Sequence, residues 1–286
     1  MGDNVAERKG LLEVHIAVLL FGLSGLIGKL IQQQALIVVF GRAVFAALFL
    51  AILLKIRKKS IVLHDKKSYG YFIGLGVLLA FHWVSFFLGI KLSTVAIGLL
   101  MFSTFPVFVT FIEPLFFKEK ISVKDLIIAL ITFGGVAFVM PNFEFQNTMT
   151  QGAMWGIASG FSFAILSVLN KKYVRDYDGR VISFYQNSVA AIVLLPFALY
   201  IKPSIGQNDL ILIILLGVVF TGIAHTLFIT SLKHVKAQTA SIIASLEPVY
   251  GIIASAIILH SIPSVKELIG GSVILIMATY SSLAKK

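Results

Sequence analysis

Two long segments of this chain, residues 91–140 and 233–282, are versions of one sequence related by a shift of 142 positions. Within them, SVKDLI at 122–127 matches SVKELI at 264–269 and Pro106 matches Pro248. The same shift also places Gly10 on Gly152 and Lys29 on Lys171, outside the two segments. With one gap, His82 corresponds to His225. An internal repeat of this length in an apolar chain is typical of a membrane protein built from two similar halves.

The composition requires a membrane. Apolar residues make up 58% of the 286 residues and charged residues only 13%, whereas a soluble domain has about 45–50% and about 25%. A chain this apolar cannot hide its surface in a water-soluble core. The chain has no cysteine, which excludes disulfides and thiolate metal sites. The net charge of +11 is better explained by membrane topology than by nucleic acid.

Ten segments have the length of membrane-spanning helices, about 17–25 residues each. They cover residues 12–31, 35–54, 69–90, 94–116, 124–140, 152–170, 180–201, 209–232, 237–259 and 265–283. The connections are short, and we expect the longest at 142–151. The predicted fold is all-α, with a first repeat at 1–141 and a second at 142–286.

The distribution of Lys and Arg predicts the orientation. If the N-terminus is cytoplasmic, 19 of the 24 basic residues lie in cytoplasmic segments and three in outer ones, Lys91, Lys202 and Lys266. Both termini are therefore expected in the cytoplasm. Each repeat holds five helices, an odd number, so the second half must cross the membrane in the opposite sense. Inverted halves that exchange conformations provide alternating access. A channel is the alternative, but the sequence shows neither a pore loop nor a selectivity ring.

A set of short motifs carries a family resemblance. They are FPV at 105–107, FKEKIS at 117–122, a Gly pair at 134–135, LEPV at 246–249, a second Gly pair at 270–271, and Arg42. The chain resembles the drug/metabolite transporter superfamily, in the ten-helix group built from two EamA domains. One departure is Ser261, which stands where the first half has Glu119. The resemblance implies a multi-pass transporter of the bacterial cytoplasmic membrane.

Glu247 is the one carboxylate near the centre of a predicted span, beside Pro248. A charge at the bilayer centre costs at least about 2.5–3.5 kcal/mol. Glu247 must therefore face a polar cavity, have a partner, or be protonated. Pro248 frees a backbone carbonyl at the same depth. A cavity role is favoured slightly over a structural ion pair with Arg42.

Arg42 has two interpretations. It could hold a substrate carboxylate bidentately, or it could tie the second helix to a neighbour. We favour the second role, because the resembled fold places that helix at the periphery. His82 and His225 could bind substrate or carry a proton, with even weight given to ordinary hydrogen bonding. Trp83 could stack on a flat substrate, although filling space is the simpler role. Among the candidate cavity hydroxyls are Ser24, Ser162 and Ser159. We expect Glu247, His82 and Trp83 to border one chamber walled by the first, third, fourth, sixth, eighth and ninth helices.

Enzyme motifs are missing from the sequence, including HExxH, GxSxG and Walker sequences. We expect no catalytic residue, no metal site and no cofactor. The resemblance implies a secondary carrier that exports small organic metabolites such as amino acids. The alternative is efflux of amphipathic organic cations, with Glu247 as counter-charge. Membrane lipids are expected partners, protons are a candidate coupling ion, and no nucleic acid partner is expected.

Overall fold

The computed structural model describes residues 2–117, 121–139, 144–235 and 237–283, and every regular element in these ranges is helical. Three of the six positions of the FKEKIS motif, residues 118–120, lie outside them. The helices are α1 (Gly2–Leu30), α2 (Ala35–Ile56), α3 (Lys66–Leu92), α4 (Val95–Phe102), α5 (Phe105–Phe117), α6 (Val123–Val139), α7 (Thr148–Tyr173), α8 (Gly179–Ile201), α9 (Gln207–Gly217), a π-helical segment (Val218–Ile223), α10 (Ala224–Ser231), α11 (Ala237–Ala244), α12 (Glu247–Ile258) and α13 (Val265–Leu283).

Several of the helices begin at a short polar side chain that caps them. Asp65 accepts a hydrogen bond from the backbone N–H of Lys67, and Asn147 and Asp178 cap α7 and α8 in the same way. Each cap satisfies donors that a helix start leaves unpaired. The stretches that follow are apolar enough to cross a bilayer without further partners, because the helix satisfies its own backbone groups.

In the described ranges, seven helical stretches are long and apolar enough to span a membrane, and shorter apolar helices complete the set. Three spans are composite: α4 with α5, α9 with the π-helical segment and α10, and α11 with α12. Taken with the two-repeat pattern, the chain is a ten-helix membrane protein. The spans predicted at 94–116, 209–232 and 237–259 are therefore present, but each is divided into shorter helical pieces.

The fourth and ninth spans break at corresponding places. Ser103 and Thr104 form a turn before α5, and Ser245 and Leu246, at the same positions shifted by 142, form one before α12. At each turn the bonds tighten to three residues, as in Thr104 N–H to the carbonyl of Met101. Proline follows both turns as the second residue of the next helix, where its missing N–H has no helical partner to lose.

Helix packing also follows the repeat. The helix α7 packs on α3, α4 and α5, and its counterpart α1 packs on α10, α11 and α12. The remaining counterparts pack on each other, α2 on α8 and α6 on α13. In each half, therefore, the first helix packs on the third and fourth spans of the other half.

A lysine at the end of α1 holds the junction between α3 and α4. The Lys29 ammonium donates to the carbonyls of Ile90 at 2.7 Å and Ser93 at 2.8 Å. Lys91 returns a bond of 2.6 Å to the carbonyl of Ile31. These carbonyls lie at helix ends, where they lack intrahelical donors. We call the Lys29 contacts the first clamp.

The same arrangement occurs 142 positions later. The Lys171 ammonium on α7 donates to the carbonyls of Leu232 at 3.2 Å and Val235 at 2.7 Å. All three positions correspond to those of the first clamp. We call these contacts the second clamp. Because the second repeat is inverted relative to the first, the two clamps lie at opposite ends of the bundle.

Candidate functional site

Seven spans enclose a small cavity at the centre of the bundle. Its lining residues are Phe21, Ser24, Arg42, Leu79, His82, Trp83, Phe86, Phe102, Phe163, His225 and Glu247. Six of the seven predicted site residues are therefore together, and the second span joins the six expected walls through Arg42. Ser162 is the exception: it is buried and donates to the carbonyls of Ala158 and Ser159 on its own helix. The cavity, which we call the chamber, has a volume of about 30 Å³.

Arg42 is held by the π-helical segment. Its Nε donates to Thr221 Oγ1 at 2.7 Å, and a second nitrogen lies 3.5 Å from the carbonyl of Phe220. Thr221 in turn donates to the carbonyl of Leu216, five residues back. A π-helical turn places such groups where an α-helix would not. Arg42 is only 2% exposed, and its bond to Thr221 ties the second span to the eighth.

Trp83 lies between two of the predicted polar residues. The Arg42 guanidinium carbon lies 4.1 Å from the centre of its ring, close enough for a cation–π interaction. The His225 ring contacts Trp83 edge to face at 5.5 Å. The 142-position shift that both clamps follow pairs His225 with Trp83, not with His82 as one gap in the sequence had suggested. His225 Nδ1 is buried and has no hydrogen-bond partner among the described residues.

His82 is fixed from α7. Its Nδ1 lies 3.0 Å from the carbonyl oxygen of Ser159 and 3.0 Å from Ser159 Oγ. A carbonyl only accepts, so the bond to it requires the tautomer with hydrogen on Nδ1 and leaves Nε2 as an acceptor. Aromatic rings of Phe102 and Phe163 pack on the imidazole.

Glu247 is the first residue of α12 and is 3% exposed. Within the described residues its carboxylate makes no hydrogen bond and no direct ion pair, so the expected structural pair with Arg42 is not formed, because Arg42 bonds to Thr221 instead. The two charges still interact electrostatically across the chamber. The positive end of the α12 dipole favours a negative charge at this position.

Most of the remaining wall is aromatic, and three of its rings, Phe21, Phe86 and Phe163, have aromatic counterparts in the other repeat. Phe21 and Phe163 are counterparts, as are Phe86 and Phe228. The contacts between them are close, with ring centres 5.8 Å apart for Phe21 and Phe228 and 5.4 Å apart for Phe163 and Phe228. These rings form an apolar collar around the polar groups.

The polar groups, by contrast, break the repeat. The counterpart of Arg42 is Phe184, that of Glu247 is Phe105, and that of Thr221 is Leu79. The role of Thr221 was missed by sequence reasoning. The sequence carries no signal for it, because the constant shift of 142 positions runs through this region without a gap and places Thr221 on Leu79. Within the described residues, no group of three or more His, Asp or Glu side chains is arranged to hold a metal.

Comparison with known proteins identifies the family. The EamA-like transporter family matches residues 8–140 and 150–283. The chain belongs to the EamA-like transporter family. A transporter of Bacillus subtilis (strain 168), "Uncharacterized transporter YxxF", is 23% identical over 92% of this chain and 86% of its own length. An "S-adenosylmethionine uptake transporter" of Rickettsia prowazekii (strain Madrid E) is 28% identical over 71% of this chain and 68% of its own length.

A crystal structure supports the fold. It has a TM-score of 0.69 at 16% identity and covers 98% of this chain and 97% of that chain. Together with the two matched family segments, this identifies the molecule as a multi-pass transporter and not an enzyme.

Proposed function

We propose that this EamA-family transporter is a secondary carrier of small zwitterionic metabolites, such as amino acids, which it moves by alternating access. The observation that carries the proposal is the pair of opposite charges in the chamber, Arg42 and Glu247, which line one cavity without bonding to each other. A buried charge without a partner is costly. A ligand that brings the complementary charges removes that cost.

The chamber has a contact for each chemical group of such a substrate. The substrate carboxylate takes the terminal N–H donors of the Arg42 guanidinium, because Nε already bonds to Thr221 and the planar fork suits a carboxylate. The substrate ammonium takes Glu247. The aromatic collar contacts the remaining apolar or flat portion, with Trp83 already stacked on Arg42. His225 Nδ1, buried and unpartnered, supplies one more polar contact.

The named relatives are compatible with this substrate class. The Rickettsia proteins are named for uptake of S-adenosylmethionine, a metabolite that carries an α-amino and an α-carboxylate group. We extend only that pair of groups to this chain. Export was the direction expected from the resemblance, whereas these relatives are named for uptake. A carrier without its own energy source follows the substrate and ion gradients, so direction is a property to measure.

The chamber is too small to hold a metabolite in this conformation. A ligand site is about 300–1,000 Å³, whereas the chamber has a volume of about 30 Å³. A metabolite therefore requires the walls to move apart. The clamps are suited to control this movement, because each ties the first helix of a repeat to the turn between its third and fourth spans. Breaking one clamp opens one end while the other stays closed.

The membrane arrangement completes the proposal. Both termini face the cytoplasm of a bacterium, the halves at 1–141 and 142–286 are the exchanging units, and the first clamp lies at the outer end. Glu247 is the candidate site for a coupled proton, since it is the buried carboxylate of the chamber.

Counterflow in proteoliposomes tests the function. Vesicles loaded with one unlabelled amino acid should accumulate the same labelled amino acid transiently, because a carrier exchanges bound substrate. Empty vesicles and vesicles with Glu247→Gln protein are the controls. Uptake that does not saturate and shows no counterflow would indicate a channel. Counterflow of amphipathic cations but of no zwitterion would favour the cation-efflux alternative, in which Glu247 acts alone.

A further inference from the structure

A second cavity, which shares no residue with the chamber, lies between α1, α2, α8 and α10. It has a volume of about 300 Å³ and is open at the side of the bundle. Its polar lining residues are Lys9, Glu13, Arg180, Thr226 and Thr230, of which the first three lie near the starts of α1 and α8 and form its polar end. Apolar residues such as Phe49 and Ile223 line the rest. We call this cavity the side groove. Its polar end is at the same end of the bundle as the N-terminus.

Two buried oxygens in the side groove have no hydrogen-bond partner among the described residues. They are Glu13 Oε2 and Thr226 Oγ1. The other oxygen of Glu13 is 3.9 Å from the Lys9 ammonium, a loose contact, and Lys9 is 68% exposed. Rotation about a side-chain bond presents either orphan oxygen to an occupant. Such acceptors call for a ligand with several N–H donors, which a primary ammonium provides.

The same end of the groove also offers positive charge. Lys9 is free to swing toward an occupant because most of its side chain is in solvent. Arg180 is held by Asp178 through bonds of 2.8 and 2.6 Å, which leaves the Arg180–Asp178 pair nearly neutral. Lys9 is therefore the main partner for an anionic group, with the remaining donors of Arg180 in support. A phosphate is the anion that suits both cations.

We infer that the side groove binds one ethanolamine phospholipid, with its ammonium on Glu13 and Thr226 and its phosphate at Lys9 and Arg180. The apolar lining of the groove favours a lipid over a soluble metabolite. Phe49 and Ile223 continue from the polar end along the membrane-spanning surface, where an acyl chain of the same bilayer lies. A headgroup with both charges matches Lys9 and Glu13 better than one with phosphate alone.

The lipid site is connected to the chamber through the π-helical segment. Gly222 and Ile223 line the groove, and the adjacent Thr221 accepts the hydrogen bond of Arg42 in the chamber. An acyl chain on Ile223 therefore contacts the segment that positions Arg42, and a headgroup on Thr226 contacts the helix that follows it. Bound lipid stabilises that segment from its outer side.

Native mass spectrometry of the detergent-solubilised full chain tests the site. Dioleoylphosphatidylethanolamine is titrated against dioleoylphosphatidylcholine, which lacks N–H donors, and dioleoylphosphatidylglycerol, which lacks the ammonium. We expect one tightly retained phosphatidylethanolamine per protein. Glu13→Gln should weaken its retention about tenfold, as expected for a lost hydrogen bond to a charged group. Glu144→Gln, at an exposed residue between α6 and α7, is the matched control and should leave retention unchanged.

A second variant protects the test against misfolding. Thr226→Val keeps the shape of the side chain and removes its acceptor, and it should weaken phosphatidylethanolamine alone. Equal retention of all three lipids, or a Glu13→Gln protein that folds and keeps full selectivity, would overturn the assignment. Displacement of the lipid by soluble O-phosphorylethanolamine at matched concentration would also overturn it, because the acyl chains would then contribute nothing.

Discussion

The ends of the molecule and its centre treat the repeat in opposite ways. At the ends, Lys29 and Lys171 donate to carbonyls at matched positions. At the centre, Arg42 and Glu247 correspond to phenylalanines. The proposed alternating access would require the two ends to undergo the same movement, so alike contacts are expected at both ends. Substrate recognition happens once, and its polar groups need not be duplicated.

The helix starts at the ends show the same conservation of pattern. Ser122 and Asp125 form a reciprocal cap on α6, with bonds of 2.8 and 3.2 Å, and Ser264 and Glu267 do so on α13, with bonds of 2.6 and 3.2 Å. A reciprocal cap satisfies two helix-start donors at once. The exchange of Asp for Glu keeps the bonds, which indicates that the geometry matters more than the residue. No such tolerance is expected in the chamber.

The largest effect is expected for Glu247→Gln. Transport should fall about 10- to 100-fold, as expected for the loss of a hydrogen bond to a charged group. The free energy of unfolding should not fall, because the variant removes an unpaired buried charge. Counterflow and thermal unfolding of the same preparation check both parts. Full transport activity in a well-folded variant would mean that the chamber does not depend on this carboxylate.

Arg42→Gln should reduce transport about tenfold and should also destabilise the protein by about 1–3 kcal/mol, because Arg42 is itself a partner of Thr221 and a buried acceptor is left unsatisfied. This is the contrast with Glu247, which supports no neighbour. Arg42→Lys keeps the charge and separates the two contributions. If Arg42→Gln retained normal stability, the proposed support of the π-helical segment would be wrong.

A smaller and direction-dependent effect is expected at the clamps. The readout is labelling of Ser24→Cys by an impermeant thiol reagent. Lys29→Gln should increase labelling from the outer side about two- to tenfold, as expected for loss of one to two hydrogen bonds. Lys171→Gln should increase it from the cytoplasmic side by a similar factor. The chain has no native cysteine, so the background is low. The same change in accessibility from both sides in either variant would contradict separate clamps.

The smallest effect is expected for Ser162→Ala. Its hydroxyl donates to carbonyls of its own helix and does not line the chamber, and such a bond on a helix contributes little. Transport should change less than about twofold. Ser24→Ala, at a residue that does line the chamber, is the comparison. A loss with Ser162→Ala as large as with Ser24→Ala would show that the chamber extends to Ser162 during transport.

The sequence was sufficient for the ten-helix fold because membrane spans depend on length and hydropathy, which are local properties. The turns before α5 and α12 were not foreseen, although Pro106 and Pro248 stand beside them. Proline near the start of a helix and proline within one look alike in a sequence. What decides is whether the preceding residues form a turn, as Ser103 and Ser245 do.

Most of the residues that line the chamber were expected from the sequence, but their contacts were not. The expense of a charge in the membrane pointed to Glu247 and Arg42, but it could not show that Thr221 holds Arg42 away from Glu247. That outcome depends on a π-helical turn, which the pattern of the repeat does not indicate. Ser162 and Ser159 are three residues apart, yet only Ser159 bonds to His82.

Counterflow of a matched substrate set tests the central claim, that one zwitterion bridges Arg42 and Glu247, most directly. The set is an amino acid that the wild-type protein transports, its methyl ester, which keeps the ammonium alone, and its N-acetyl derivative, which keeps the carboxylate alone. Wild-type protein should prefer the amino acid, Glu247→Gln should shift preference toward the N-acetyl derivative, and Arg42→Gln toward the ester. Unchanged preference in both folded variants would contradict the claim.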